Sequence, residues 1–216
     1  MSEAIEKLTG PAMAEIRLIH QTSVFNNGTV ADTFYTGRIG LNDPLAYYER
    51  QLLHEIDGLA PARAYHEIGG GIGLIPITLG LTGRRAVNID NTRSRISHGA
   101  RILESLSLDD ATLPDRVQMV CASAPDVFDS LDTRGAYAIS TNIGAVRSPE
   151  FVESFLKAVQ ARYSAFIFDV CLLFGIFRTA EEWDERLELL EFIWKQRPKL
   201  LFETGGPGRY YVVNFE

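Results

Sequence analysis

The sequence has few cysteines and no long apolar run. Only Cys121 and Cys171 occur among 216 residues, and both lie in apolar stretches. This count excludes the disulfide framework of a small secreted domain and predicts buried thiols in a reducing compartment. The most apolar stretch, 165–177, contains Asp169 and is shorter than the roughly 20 residues of a membrane helix. We therefore expect no membrane partner and a cytoplasmic location.

Basic residues are also in deficit. The chain carries 21 Lys and Arg against 28 Asp and Glu, a formal net charge of −7, which repels a phosphate backbone. We therefore expect no nucleic-acid partner and a small-molecule substrate. A local run of arginines is interpreted as a solvated helix face, and it consists of Arg84, Arg85, Arg93, Arg95 and Arg101.

The pattern of apolar residues alternates between strand and helix over most of the chain. Strands separated by helices predict parallel βαβ units, hence an α/β sheet covered on both faces. The last two strands are joined by the short turn 205–208, which is too short for a crossover, so they must run antiparallel. The predicted strands are 62–68, 86–90, 117–121, 136–141, 165–170, 200–204 and 210–215, and the main helices are 43–58, 74–81, 92–106, 149–163 and 180–196. Trp183 and Trp194 lie on the apolar stripe of the last helix, which predicts core positions for both.

A glycine-rich turn follows the first predicted strand and opens the next helix. Gly69, Gly71 and Gly73 can adopt positive φ and allow a ligand to approach the backbone. Ligands of open α/β sheets bind at this end of the strands. Asp90 ends the second predicted strand, where an acid can accept hydrogen bonds from ribose hydroxyls. The pattern predicts a nucleotide-like cofactor.

The residues around the turn bear on which cofactor binds. Glu67 lies two residues before the first glycine and would oppose a pyrophosphate. S-adenosylmethionine carries an ammonium and a sulfonium, which this carboxylate favours. Leu74 also departs from the GxGxxG spacing of dinucleotide sites. We favour S-adenosylmethionine, and an NAD(P)-dependent oxidoreductase stays open as the alternative.

The pattern Glu67-x-Gly69-x-Gly71-x-Gly73, followed by Asp90 and a C-terminal β-hairpin, resembles the class I S-adenosylmethionine-dependent methyltransferases over residues 43–216. The resemblance implies a Rossmann-like three-layer sandwich. Its seven-stranded, mostly parallel sheet would have the order 3-2-1-4-5-7-6 with an antiparallel last strand. Residues 1–42 would then form an N-terminal arm or lid.

The resemblance also implies a cofactor site. The glycine turn would lie under the methionine moiety, Asp90 would bind the ribose, and Asn91 would border the adenine. Ser123 stands where members of the family often carry an acid for the adenine amino group. The expected cofactor-binding residues are Glu67, Gly69, Gly71, Gly73, Asp90, Asn91 and Ser123.

Methyl transfer depends on positioning the acceptor in line, and a hydroxyl or acid acceptor also needs a general base. Asp169 and Asn142 are the expected catalytic residues near the crevice. Asn142 lacks the Pro-Pro-Tyr/Phe continuation of enzymes that methylate nucleic-acid bases. His66 alternates with Glu67 and so faces the other side of the sheet, where a structural role is expected. No spacing of ligand residues predicts a metal.

The segment 26–42 is rich in Asn, Gly and Thr and is predicted to be a loop, after a short helix at 11–24. In related enzymes such segments often cover the acceptor, so Tyr35 and Arg38 are expected substrate contacts. A flexible arm, or one that forms a homodimer, is the alternative. A non-catalytic nucleotide-binding protein of the same fold is a further alternative for the whole chain.

Overall fold

The computed structural model describes residues 1–25, 30–141, 148–169, 191–205 and 208–215. Across these ranges, no helix combines the length and apolar character needed to cross a membrane. The predicted Asn142, Cys171 and Trp183 lie outside the described residues. The helices are α1 Ser2–Phe25, α2 Val30–Leu41, α3 Tyr47–Asp57, α4 Leu74–Leu81, α5 Arg93–Ser107, α6 Leu113–Arg116 and α7 Pro149–Arg162, with a 3₁₀ turn at Asp126–Ser130.

Seven strands form one mixed sheet in the order β3-β2-β1-β4-β5-β7-β6. Strands β1 to β5 pair in parallel, and β7 pairs antiparallel with both β5 and β6. This confirms the predicted order and the reversed last strand. The strands are β1 Ala64–Ile68, β2 Ala86–Asp90, β3 Val117–Cys121, β4 Ala136–Ser140, β5 Ala165–Asp169, β6 Lys199–Glu203 and β7 Arg209–Asn214.

Two apolar cores cover the two faces of the sheet. The first contains Tyr65 and Ile167 under the N-terminal helices and α4, and the second contains Phe166 and Phe168 under α7. Because side chains alternate along a strand, the polar residues at the carboxyl ends follow the same two faces. The residues that share the first face there are Glu67, Asn88, Asp90, Thr141 and Asp169.

The N-terminal segment corrects the prediction. The predicted short helix at 11–24 is part of the longer α1, and residues 30–41 of the predicted loop form α2. Helix α1 buries a stripe at helical spacing and packs against α4 and α5, so tertiary burial outweighs the weak local propensity of the segment. The stripe consists of Leu8, Ala12, Met13, Ile16 and Ile19.

Two expectations of burial are wrong. Cys121 is exposed because it ends β3, which lies at the edge of the sheet. Trp194 is 45% exposed and packs edge-on against Tyr211, with ring centroids 5.1 Å apart. An apolar residue can be covered on one side and exposed on the other, as Cys121 is at the edge of the sheet and Trp194 is on its helix.

Candidate functional site

The glycine turn, Gly69–Gly73, connects β1 to α4 and depends on left-handed backbone conformations. Its three predicted glycines have φ values of 76°, 59° and 75°, which residues with a Cβ rarely adopt. Every backbone N–H of the turn already donates within the chain. That of Gly71 reaches Asp90 Oδ2 at 3.0 Å, and that of Ile72 reaches Tyr35 Oη at 3.2 Å. No N–H of the turn is therefore left without an acceptor.

Asp90 is buried at the carboxyl end of β2, beside the turn. Besides Gly71, it accepts a hydrogen bond from the N–H of Thr92 at 2.8 Å, and Arg95 Nη1 lies 3.5 Å from Oδ2. A carboxylate has about four lone-pair sites, so two backbone donors leave capacity for further hydroxyl donors. The backbone bonds also fix the orientation of the carboxylate. Asp90 thus has the chemistry expected of a ribose contact.

Glu67 and Asn88 lie side by side on β1 and β2, and they are 4% and 0% exposed. Asn88 Nδ2 donates to the carbonyl of Gly71 at 2.9 Å. Among the described residues, neither Glu67 Oε2 nor Asn88 Oδ1 has a hydrogen-bond partner. A Cβ on Gly70 would lie 2.5 Å and 2.2 Å from these two atoms. The two oxygens therefore converge directly beneath the turn.

The environment of Glu67 disfavours its negative charge. Burial, with the carboxylates of Glu49 and Asp90 nearby, raises the pKa of Glu67 well above its usual range, and Arg38 offsets part of this rise. A buried carboxylate of this kind is stabilised by a proton or by a cation that enters the site. The two oxygens without hydrogen-bond partners and the raised pKa of Glu67 both fit a ligand with a positive amino group, such as S-adenosylmethionine.

Helix α2 contributes Tyr35 and Arg38, both buried. Burial raises the pKa of Tyr35 to about 12, so its hydroxyl stays protonated at neutral pH. Arg38 pairs with Glu49 of α3 at 3.0 Å, also donates to the carbonyl of Pro44, and lies 5.1 Å from the centre of the Tyr35 ring. Of the two predicted substrate contacts, Tyr35 thus lies against the glycine turn and ties α2 to it, and Arg38 ties α2 to α3.

Asp169 ends β5 and is buried. Its partner in the antiparallel register is Tyr210 of β7, which stacks on Phe202 and on Tyr48 of α3 with centroid distances of 4.4 and 5.8 Å. Asp169 therefore lies beside an aromatic stack at the same end of the sheet as Glu67. Asn142, its predicted catalytic neighbour, is outside the described residues.

Two expected adenine contacts lie on the rim of this region. Asn91 follows Asp90 and is exposed, and Ser123 is exposed after β3. The N–H of Ala122 donates to the carbonyl of Asp90 at 3.2 Å, so the segments that carry Asn91 and Ser123 lie next to each other. This arrangement brings the rim residues close to the acid expected at the ribose.

His66 lies on the opposite face of the sheet from Glu67. Its Nδ1 is 3.1 Å from Tyr163 Oη, and the two rings meet edge to face at 5.4 Å. Burial lowers the pKa of His66 to about 4, so the ring is neutral. The observed contacts are those of a packed core histidine, as its alternation with Glu67 predicts.

Sequence reasoning did not single out Asn88, Glu49 or Tyr48. A signal for Asn88 was present, because it interrupts the apolar strand Ala86–Asp90 two residues before Asp90 and so must share its face. Glu49 carried no comparable signal. It lies on a polar helix surface in the sequence and becomes buried only when Arg38 packs against it.

No protein-family model matches the sequence, and no curated protein matches it. Solved structures do. The O-methyltransferase TomG of Streptomyces achromogenes, involved in tomaymycin synthesis and solved with SAM, is 19% identical, with 83% of this chain and 86% of TomG covered and a TM-score of 0.57. TrmK of M. capricolum, solved with S-adenosylhomocysteine, is 11% identical, with 79% and 68% covered and a TM-score of 0.54.

A third similar structure is that of WbdD, a bifunctional kinase-methyltransferase. It is 14% identical, with 77% of this chain and 39% of WbdD covered and a TM-score of 0.54. The chain thus spans less than half the length of WbdD. Together with the strand order, these likenesses show that the chain has the class I S-adenosylmethionine-dependent methyltransferase fold.

Proposed function

We propose that the protein is an S-adenosylmethionine-dependent methyltransferase acting on a small-molecule acceptor in the cytoplasm. The observation that carries this proposal is the buried Glu67 carboxylate, whose Oε2 has no hydrogen-bond partner among the described residues. It lies beneath a turn whose N–H groups are already used. Such a site favours a cofactor whose amino acid part carries a positive amino group. It has few free N–H donors with which to bind a pyrophosphate.

The chain's residues would divide the cofactor between them. Glu67 and the glycine turn would hold the methionine end, Asp90 the ribose hydroxyls, and Asn91 and Ser123 the edge of the adenine. When bound, the cofactor supplies a methyl group on a sulfonium. The acceptor's lone pair forms a bond to that methyl carbon as the carbon–sulfur bond breaks, and in-line positioning supplies much of the rate.

The acceptor side would involve Asp169, Asn142 and the N-terminal segment. Asp169, at the end of β5, is the candidate general base among the described residues of the site. A proton on an attacking hydroxyl would pass to its carboxylate. Residues 1–42 would act as the arm over the site, with Tyr35 and Arg38 as the side chains that reach it. Helix α2 lies against the turn, which supports this placement.

An NAD(P)-dependent oxidoreductase is the less supported alternative. Dinucleotide sites bind pyrophosphate with free N–H groups at the start of a helix. Here the N–H of Gly71 is bonded to Asp90 and that of Ile72 to Tyr35. A non-catalytic protein of the same fold would keep the turn without using it, and the two orphaned oxygens beneath the turn argue for a ligand instead.

Ligand-induced thermal stabilisation separates these functions. A ligand that binds the folded state raises the melting temperature, so S-adenosylhomocysteine should raise it and NADH should not. Asp90→Asn should weaken S-adenosylhomocysteine binding by roughly ten- to hundredfold, the range for a charged hydrogen bond. Asp129→Asn is the matched control, because Asp129 is 77% exposed in its pair with Arg162. Stabilisation by NADH alone, or by neither ligand, would refute the proposal.

A further inference from the structure

A pocket of about 390 Å³ lies at the amino ends of three neighbouring strands, where it is lined by Ala64 of β1, Ala86 of β2 and Val117 of β3. Its volume is within the range of small-molecule sites. The candidate cofactor site lies at the carboxyl ends of the same strands, and none of the residues assigned to that site lines the pocket. The pocket is therefore a second, separate cavity.

The connection from β3 to β4 explains why this cavity exists. The connection is described throughout and contains the 3₁₀ turn Asp126–Ser130 but no α-helix. The face of β3 that a crossover helix would cover is therefore partly open, with Gln118 exposed and Val120 half-buried. This is the face of the second core, on the other side of the sheet from Glu67.

Most of the pocket lining is apolar, with one buried polar side chain. His66 lines the pocket although it is only 2% exposed. Its Nδ1 is bonded to Tyr163, so Nε2 is the ring nitrogen that it can present to a ligand. The apolar lining residues are Ala64, Ala86, Val87, Pro114, Val117 and Leu131.

Three of the five charged residues that line the pocket already have partners. Arg63 pairs with Asp132, which also lines the pocket, at 2.8 Å. Arg116 pairs with Asp110 and donates to the carbonyl of Gly80 at 3.0 Å. These charges are neutralised within the protein and offer little to a ligand.

The remaining two charged residues, Arg85 and Asp115, are exposed. In the part of the chain that the structure describes, neither side chain forms a salt bridge or a hydrogen bond. Arg85 directly precedes β2, Asp115 lies two residues before β3, and these two strands are paired. The pocket therefore presents one positive and one negative group without a partner, beside an apolar surface.

We propose that this pocket binds a small zwitterion with an apolar body, such as an apolar amino acid. The carboxylate of the ligand would meet the Arg85 guanidinium, and its ammonium would meet the Asp115 carboxylate. A ligand with only one of these charges would leave the opposite protein charge without a partner and bring its own charge close to a like one. The inference is independent of the proposed function, because the two cavities share no residue.

An NMR titration with three matched probes tests the inference. L-leucine should shift the backbone amide signals of Val87 and Gln118, which line the pocket, and leave that of Gly71 unchanged. 4-Methylpentanoate lacks the amino group of leucine, and 3-methylbutylamine lacks its carboxylate. Each should bind about fivefold more weakly than leucine, the upper range for an ion pair that is open to solvent.

Two variants assign the charges. Arg85→Ala should weaken leucine binding about fivefold and remove the preference for leucine over 3-methylbutylamine. Asp115→Asn should weaken leucine binding similarly and remove the preference over 4-methylpentanoate. Arg134→Ala is the matched control, because Arg134 is exposed and does not line the pocket. Gln118→Trp changes no charge and should abolish binding, because the larger side chain fills the cavity.

Absence of leucine-induced shifts at Val87 and Gln118 would overturn the inference, and so would equal affinity for the three probes. An equal loss of leucine binding in Arg85→Ala and Arg134→Ala would also overturn it, because the effect would then come from net charge alone. S-adenosylhomocysteine should bind Arg85→Ala and wild type equally. Failure of leucine to bind would therefore leave the proposed function standing, and failure of S-adenosylhomocysteine to bind would leave this inference standing.

Discussion

The hydroxyl of Tyr35 accepts a hydrogen bond from the backbone N–H of Ile72 at 3.2 Å, which joins helix α2 to the turn in front of α4. The two residues are 37 positions apart in the chain. The bond holds the N-terminal segment against the candidate site.

Removal of that hydroxyl should destabilise the protein. Tyr35→Phe keeps the ring under Arg38 and leaves the Ile72 N–H without its acceptor, at a cost of about 1–3 kcal/mol. Denaturant unfolding measures the loss, and amide exchange at Ile72 should accelerate. Tyr47→Phe is the control, since Tyr47 is 68% exposed. Equal effects of the two variants would contradict a structural role for the bond.

The buried pair Arg38–Glu49 should be far more sensitive than a surface pair. Arg38→Met leaves the Glu49 carboxylate buried without its partner, which costs about 3–5 kcal/mol. Lys7→Met breaks the exposed pair of Lys7 with Glu3 and should cost less than about 1 kcal/mol. Unfolding free energies of both variants, measured under the same conditions, check the difference. A loss for Arg38→Met as small as that for Lys7→Met would exclude a buried, structurally important pair.

The stability of the protein should depend on pH through Glu67. Its pKa is raised in the folded state, so its contribution is fully present below the unfolded value of about 4.3 and is lost as pH rises through the folded value. Glu67→Gln cannot ionise, so it should become more stable than wild type as pH increases. We expect the difference in melting temperature between Glu67→Gln and wild type to grow from pH 5 to pH 8.

The matched control for this pH series is Glu153→Gln. Glu153 is 51% exposed and pairs with Lys157 on the surface of α7, so its substitution should give a small difference from wild type. A difference between Glu67→Gln and wild type that stays constant across the series would show that Glu67 does not titrate differently in the folded state.

Gly70 should be intolerant of the smallest side chain. A Cβ there would lie 2.2 Å from Asn88 Oδ1 and 2.5 Å from Glu67 Oε2, and such overpacking costs about 1–3 kcal/mol. Gly37→Ala is the opposite case, because Gly37 lies in α2 with open space around it. Alanine there should stabilise the protein by about 0.5–1 kcal/mol. Thermal unfolding distinguishes the two signs, and a neutral Gly70→Ala would contradict the observed packing beneath the turn.

Much of the fold could be predicted because its signals are local. The predicted strand Ala86–Asp90 and helix Leu74–Leu81 match the observed elements residue for residue. Both are defined by apolar runs and nearby glycines, which are signals within a few residues of the element. The order of the sheet followed from the resemblance to a known family. Helix α2 could not be predicted in this way, because its Gly and Thr residues favour a loop. Its packing against α1, α3 and the glycine turn stabilises it instead.

The sequence by itself determined the glycine turn, the acids that flank it and the alternation that places Glu67 and Asp90 on one face of the sheet. These features depend on backbone conformation and on the period of a strand, which are local properties. Only the tertiary structure decided that Tyr35 meets Ile72, that Arg38 is held by Glu49, and that Asn88 converges with Glu67. Such contacts join segments far apart in the chain, and their energies come from burial that no single segment can provide alone.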